Sequence, residues 1–442
     1  MFKPPILAAA TLLLAALPPA GAAGPAPIGA KARASSCTTC SQTTPSIAGL
    51  ASGEFMVAWE GESATDAKGV VGRLFKNTGL PKAADFQINK GVLPPEQFDV
   101  AVAGDATGYV AAWSSVSNAN SEVFAQRYSV AGVLQGTPIL VSVDDPALPP
   151  YADFNPTVGR TAGGGFVIAW IRYLPPGATT AGTDPEILIR RFDKNGVALS
   201  APLKLNTRLV NGDRPDLCVD SAGQIDVAWT SADGFPLFQP NHKGVSLRRV
   251  SAAGVPQGPE AIVAPPLASN AQMNISCGTG GNFVIVWESD QPPAIDRFDI
   301  LGARYTKLGR RVGNVFRVNS VTAENQRNPA VSHDSKGNFV VVWEHNLTFG
   351  GAINGRRFSV AGVATGTDFA IDTYPSGNPR SIEPEIAHVG TAGNFVVAFQ
   401  DGLQGVWMRR FTPGTPFLAQ TAKSEDAADA EDAGSAVEPP EQ

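Results

Sequence analysis

Cysteine, histidine and carboxylate side chains carry most redox, metal and acid–base chemistry. This chain holds only four Cys and four His among its 442 residues. Cys37-Thr-Thr-Cys40 has the spacing of a redox pair or of half a zinc site. No second CxxC and no βαβ pattern accompanies it, so a small structural disulfide is expected. No nucleophile elbow, HExxH, P-loop or dinucleotide fingerprint occurs. Asp and Glu total 40, enough for a carboxylate pair of the glycosidase kind, but no pair is identifiable from spacing. No cofactor is expected.

The elements that must position any such residues form a repeat. Gly53-Glu54-Phe55-Met56-Val57-Ala58-Trp59 recurs, with later copies ending at Trp113, Trp170, Trp229, Trp287, Trp343 and Phe399. Each copy supplies four extended segments. The first starts near a Pro (Pro45, Pro156, Pro215, Pro329, Pro384). The second is the Trp segment. The third ends in Arg and an apolar or aromatic residue: Arg127-Tyr128, Arg191-Phe192, Arg249-Val250, Arg304-Tyr305, Arg357-Phe358 and Arg410-Phe411, with Arg73-Leu74-Phe75 in the first copy. The fourth follows a Gly turn. Alternation and bounding Gly or Asn favour strands over helices. Phe166, Ile168 and Trp170 face one way, Val167 and Ala169 the other. Both faces are apolar, one large and one small, so both need cover. Stacking Trp of one unit on Ala of the next gives it. The predicted fold is all-β: a seven-bladed β-propeller with four antiparallel strands per blade.

Asn338-Phe339-Val340-Val341-Val342-Trp343 and Phe316-Arg317-Val318-Asn319 resemble the Trp-containing propeller-like tandem repeats of secreted bacterial proteins, in which G-x-F-V-V-x-W precedes R-x-F and F-x-V-N. The resemblance covers residues 45–420. It implies architecture and is nearly silent on activity. The seventh copy departs from it, with Phe399 for Trp and a weak last strand around Phe417. Lys31–Ser35 sits where a fourth strand should precede the first copy, so it is a candidate to complete the last blade.

Residues 1–22 read as a signal peptide: Lys3, an apolar stretch from Ile6 to Leu17, then Ala20-Gly21-Ala22. A secreted or periplasmic protein is expected. Residues 23–44 form an N-terminal segment, 45–420 the repeats, and 421–442 a disordered acidic tail. The tail's net charge of −6 equals that of the whole chain, so everything before it sums to zero. Nucleic acid is therefore an improbable partner. No segment reaches transmembrane length, and a monomer is expected.

Tight spacing within the hairpins contrasts with variable Trp-to-Arg and inter-copy spacing. In an up-down sheet all the variable loops emerge at one end, where binding usually resides. Candidate ligand-binding residues there are Arg172, Tyr173, Asp184, Phe235, Phe238, His242, Asp290, Glu344 and His345. The Arg column recurs in every copy and so reads as structural, packed on Trp or bonded to a carbonyl within its own blade. Cys218 and Cys277 lie in first strands of adjacent copies and project from opposite faces, which predicts a Cys218–Cys277 bridge. His333 and His388 share the Cys277 column but project in parallel, so no metal site is expected. The leading functional expectation is a non-catalytic binding module for a glycan or protein. The alternative is a glycan-active hydrolase or lyase using carboxylates on the variable-loop face.

Overall fold

A computed structural model describes residues 24–414 except 64–65, 92–95, 118–119, 144–150, 174–184, 209, 211–213, 232–242, 266–269, 291–296, 348–349, 374–380 and 403–404. The described residues are all-β, with a single 3-10 turn at Ala162–Gly164 and no α-helix. No helix among them is long and apolar enough to cross a membrane. The strands form five four-stranded sheets and one of eight. The eight-stranded sheet consists of two antiparallel runs of four, joined by one parallel pairing between Ala152 and Ser121. Each run follows chain order, so the repeat units, the last excepted, build their own sheets from their own hairpins.

The Trp segments are the second strands, for example Phe55–Ser63, Phe166–Tyr173 and Phe339–Leu347. All six Trp of the repeat column are buried. The packing follows the two-faced alternation. Ala58 and Met56 of unit one share a cluster with Trp113 of unit two. Ala112 packs with Trp170, Ala169 with Trp229, Ala228 with Trp287, Val286 with Trp343 and Val342 with Phe399. Ala398 of the last unit then packs with Trp59 of the first. A small residue before each Trp leaves room for the neighbour's indole, and the buried area on both faces drives the stacking.

Polar contacts reinforce every seam. The sequence predicts that the Arg column packs on Trp or bonds a carbonyl of its own unit. Arg73 of the first copy does bond its own unit, Nε to Ala83 O at 3.1 Å, but from the second copy on the column reaches the next unit. Arg127 donates to Lys194 O, Arg191 to Ala252 O and Ala253 O, Arg249 to Lys307 O, Arg304 to Val360 O, Arg357 to Pro413 O and Arg410 to Asn77 O and Thr78 O. The physical reason is strand spacing: the third strand lies toward the outside of its sheet, where the neighbour's turn is closer than its own. The preceding residue reaches backward. Arg190, Arg248, Arg356 and Arg409 donate to Val141 O, Leu205 O, Val318 O and Ile371 O, all just beyond or within the fourth strand of the unit before.

Arg73 of unit one makes the same backward bond, to Ala34 O. Ala34 therefore stands where the last unit's fourth strand should be. Ala32–Arg33 pairs antiparallel with Val406–Phe411, and Ala34 N donates to Val406 O at 2.8 Å. The N-terminal segment completes the last sheet. Phe417 lies outside the described residues. Both disulfides form, Cys37–Cys40 and Cys218–Cys277, the second tying units four and five.

Candidate functional site

The first strands lie innermost and touch one another in sequence around the molecule, from Gln42–Gly49 through to Ser381–Val389 and back to Gln42–Gly49. Six of them carry a register break. At each break a non-glycine residue adopts a left-handed backbone: Thr44, Asp99, Asn155, Gln272, Asn328 and Glu383. Arg214 precedes Pro215 at the same place in unit four. A bulge of this kind swings an N–H out of the ladder, and a buried donor needs an acceptor.

Carboxylates of neighbouring units supply it. Glu60 Oε1 accepts from Asp99 N at 2.6 Å, Asp99 Oδ2 from Asn155 N at 3.2 Å, Glu288 Oε2 from Asn328 N at 3.1 Å, Glu344 Oε1 from Glu383 N at 2.8 Å and Glu383 Oε2 from Thr44 N at 3.1 Å. Two residues further along the same strands, Asp216 accepts from Thr157 Oγ1, Asn274 Nδ2 and Ile275 N at 2.9, 2.7 and 2.9 Å. Glu385 occupies the equivalent position in unit seven. Its carboxylate has no hydrogen-bond partner among the described residues.

Arg214 faces these acids, with Nη2 3.7 Å from Asp99 Oδ1. Burial outweighs its field. Desolvation pushes the Glu385 carboxyl up to about 7, with Arg214 opposing and the charges of Asp216 and Glu383 assisting. Desolvation likewise raises Glu60 to about 7, against the Asp99 N–H bond and Arg214, and Asp216 to about 6 against its hydrogen bonds. Glu383 is raised by the same cause. Asp216 belongs to unit four and Glu385 to unit seven, so these charges meet across the ring rather than along it. The result is two carboxyls that hold a proton near neutrality, beside other carboxylates and one guanidinium. That separation of roles is the arrangement acid–base catalysis uses.

Aromatic rings flank the cluster. Phe98 and Phe154, each next to a bulge residue, stack at 5.8 Å, and Tyr173 meets Phe154 edge-on at 6.1 Å. Across the molecule, the Arg327 guanidinium lies 4.2 Å over the Phe298 ring.

The residues singled out from loop position scatter. Tyr173 joins this aromatic rim. Glu344 belongs to the carboxylate set, where Asn328 Nδ2 also donates to it. His345 lies beside it in sequence, but its Nδ1 pairs with the Gln326 amide, and burial lowers its pKa. Arg172 is buried in a bidentate pair with Asp153, both N···O distances 2.8 Å, and stacks on Tyr151; it is committed to holding the loop. Asp290 is half-buried at the end of its strand. Asp184, Phe235, Phe238 and His242 lie outside the described residues. Loop reasoning missed Glu60, Asp99, Arg214, Asp216, Glu383 and Glu385. The available signal was the position just before the Pro column, where residue type varies while its surroundings repeat.

Two other clusters have structural partners. Cys218, Asp226 and Cys277 lie together, but the cysteines are joined and Arg249 Nε donates to Asp226 at 2.7 Å. His333 and His388 each bond a Ser of the preceding unit, Ser276 and Ser332, at 2.9 and 3.0 Å. Burial holds His333 down to about 3 and His388 to about 4, so both stay neutral.

No family model matches this chain, and no curated protein matches it. Among solved structures it is similar to a protein of unknown function from Dyadobacter fermentans, at 11% identity and TM-score 0.49, over 88% of this chain and 99% of that one. It is similar to polysaccharide lyase Uly1 at 11% identity and TM-score 0.49, over 82% and 88%. It is also similar to an alpha-L-arabinanase of Penicillium chrysogenum at 11% identity and TM-score 0.47, over 87% and 99%. At these scores the likeness carries no argument about activity.

Proposed function

We propose that this chain is an exported seven-bladed β-propeller that hydrolyses a neutral glycan at its axial carboxylates, with Glu385 as proton donor. Seven aromatic-on-small seams, six with Trp and one with Phe399, the last joining Ala398 to Trp59, support the blade count. Two disulfides support an oxidising destination. The observation that carries the reading is Glu385: a carboxyl raised to about 7, without a hydrogen-bond partner among the described residues, facing other acids across the axis. A protonated carboxyl of this kind delivers its proton to the departing glycosidic oxygen. Asp99, held by Ser114 Oγ at 3.2 Å and facing Arg214, is the partner carboxylate. Phe98, Phe154 and Tyr173 offer apolar faces for a sugar ring. An axis this acidic repels uronate substrates, which favours hydrolysis of neutral glycans over lyase chemistry.

The test is cleavage of a panel of neutral oligosaccharides, read by new reducing ends. Glu385→Gln should lower kcat by about 10²–10⁴-fold, the contribution of a general acid, while binding persists. A wild-type protein that cleaves nothing, or a variant that keeps its rate, contradicts the assignment. A second reading has its own support: Glu60, Glu344 and Glu383 each commit an oxygen to a neighbour's backbone N–H. A non-catalytic glycan binder would show saturable binding with no cleavage in either protein.

A further inference from the structure

We infer that the seam between units two and three, at the tight-turn end of the strands, binds a small ligand bearing a tetrahedral oxyanion. This site lies at the opposite end from the axial carboxylates and stands or falls independently of them. A cavity of about 420 Å³ opens there, lined by Tyr109, Arg127, Gln135, Arg160, Lys194 and Asn195 among others.

Three departures from the repeat coincide at this seam. First, Tyr109 stands where five other units have Phe55, Phe166, Phe283, Phe339 and Phe395. It is 1% exposed, and its hydroxyl is buried without a hydrogen-bond partner. The nearby Tyr128, by contrast, donates to Ile88 O. Second, Arg160, the last residue of its first strand and paired with Phe166, stands where the other units have Gly49, Gly104, Val219, Cys277, His333 or His388. Third, the turn that follows carries two left-handed glycines in succession, Gly163 and Gly164 at φ +81° and +87°, a conformation only glycine adopts freely, where units one, four, five and six have one, Gly53, Gly223, Gly281 and Gly337.

The donors left over converge on the cavity. Arg191 and Arg410 each place two N–H groups on the next unit's turn. Arg127 gives one, to Lys194 O, and its Nε is buried and unpartnered. Arg160 bonds Asp105 at 2.9 Å and Thr107, yet its Nε is also buried and unpartnered. Arg127 and Arg160 repel each other, while Asp193 attracts Arg127. Against Arg127, Arg160 and Lys194 stand Asp105 and Asp193, leaving the pocket cationic by one charge. Each orphaned buried donor costs free energy, and one oxyanion accepts from several. A pocket this large takes more than the bare anion, so a sugar sulfate or phosphate fits the space.

The experiment is calorimetric titration at constant ionic strength with sulfate, phosphate, glucose 6-sulfate and glucose 6-phosphate, against wild type and Tyr109→Phe. Binding by the sugar esters alone identifies a saccharide ligand; equal binding by the inorganic ions identifies the free anion. Either result supports the site provided Tyr109→Phe weakens it about tenfold or more, as loss of a bond to a charged group requires. Without ligand, Tyr109→Phe should melt at the same or higher temperature, because the hydroxyl has nothing to lose. No heat from any of the four up to about 10 mM, a concentration that detects even weak binding, overturns the inference. So does binding that Tyr109→Phe leaves unchanged.

Discussion

Arg191 shows how single residues serve this fold. Its Nη1 and Nη2 donate to Ala252 O and Ala253 O at 2.7 and 2.6 Å, clamping the fourth unit's turn onto the third. The turn's Gly254 is left-handed at φ +85°, and a Cβ there would lie 2.4 Å from Arg191 Nε. Guanidinium and glycine are thus matched. Arg191→Met should lower unfolding stability by about 1–3 kcal/mol, the value of charged hydrogen bonds to carbonyls, read as a lower urea midpoint with unchanged slope. Arg191→Lys should not restore it, because a point charge cannot reproduce the fork; full stability in either variant would contradict the clamp. The structural nature of this column was legible from its recurrence. Its direction was not, because periodicity places a residue within a unit and says nothing of which neighbour it reaches. Arg172 is the converse case. Loop position suggested a ligand contact, but Asp153, an acid where other units have Gln42, Gln97 and Gln326, captures it.

Strands are the scale at which the sequence was most readable. Alternation around each Trp gave the second strands, the Arg followed by an apolar or aromatic residue the third, and the segment after the Gly turn the fourth. Bulges in the first strands escaped notice. Pro45, Pro156, Pro329 and Pro384 marked the place, but a proline signals a strand start as readily as a bulge. The N-terminal strand is the element that decides closure. Ala34 is 0% exposed, in one cluster with Trp59, Val406 and Met408. Ala34→Asp should destabilise the protein by on the order of 3–5 kcal/mol, the cost of an uncompensated buried charge. Ala30→Asp, at an exposed position of the same segment, should be neutral. Thermal melts of the two variants distinguish a strand that seals the ring from a loosely attached tail; equal melting temperatures would refute the seal.

For the molecule as a whole, ring closure creates the candidate site. Glu60, Asp99, Arg214, Asp216, Glu383 and Glu385 come from units one, two, four and seven, and only an axis shared by all four brings their charges into range. Linear spacing marks only the positions flanking Pro215 and Pro384, where Arg214, Asp216, Glu383 and Glu385 stand; it does not say that units one, two, four and seven bring their members together. The same closure explains why burial, rather than a local partner, dominates the shift at Glu385. The most direct measurement is therefore the carboxyl titration of Glu385 by 13C NMR in the wild type, Asp216→Asn and Arg214→Met. A midpoint near about 7 is predicted for the wild type. Removing the Asp216 charge should lower it, and removing the Arg214 charge should raise it. A midpoint in the ordinary Glu range, unmoved by either substitution in a distant unit, would contradict both the shared axis and the acid proposed at its centre.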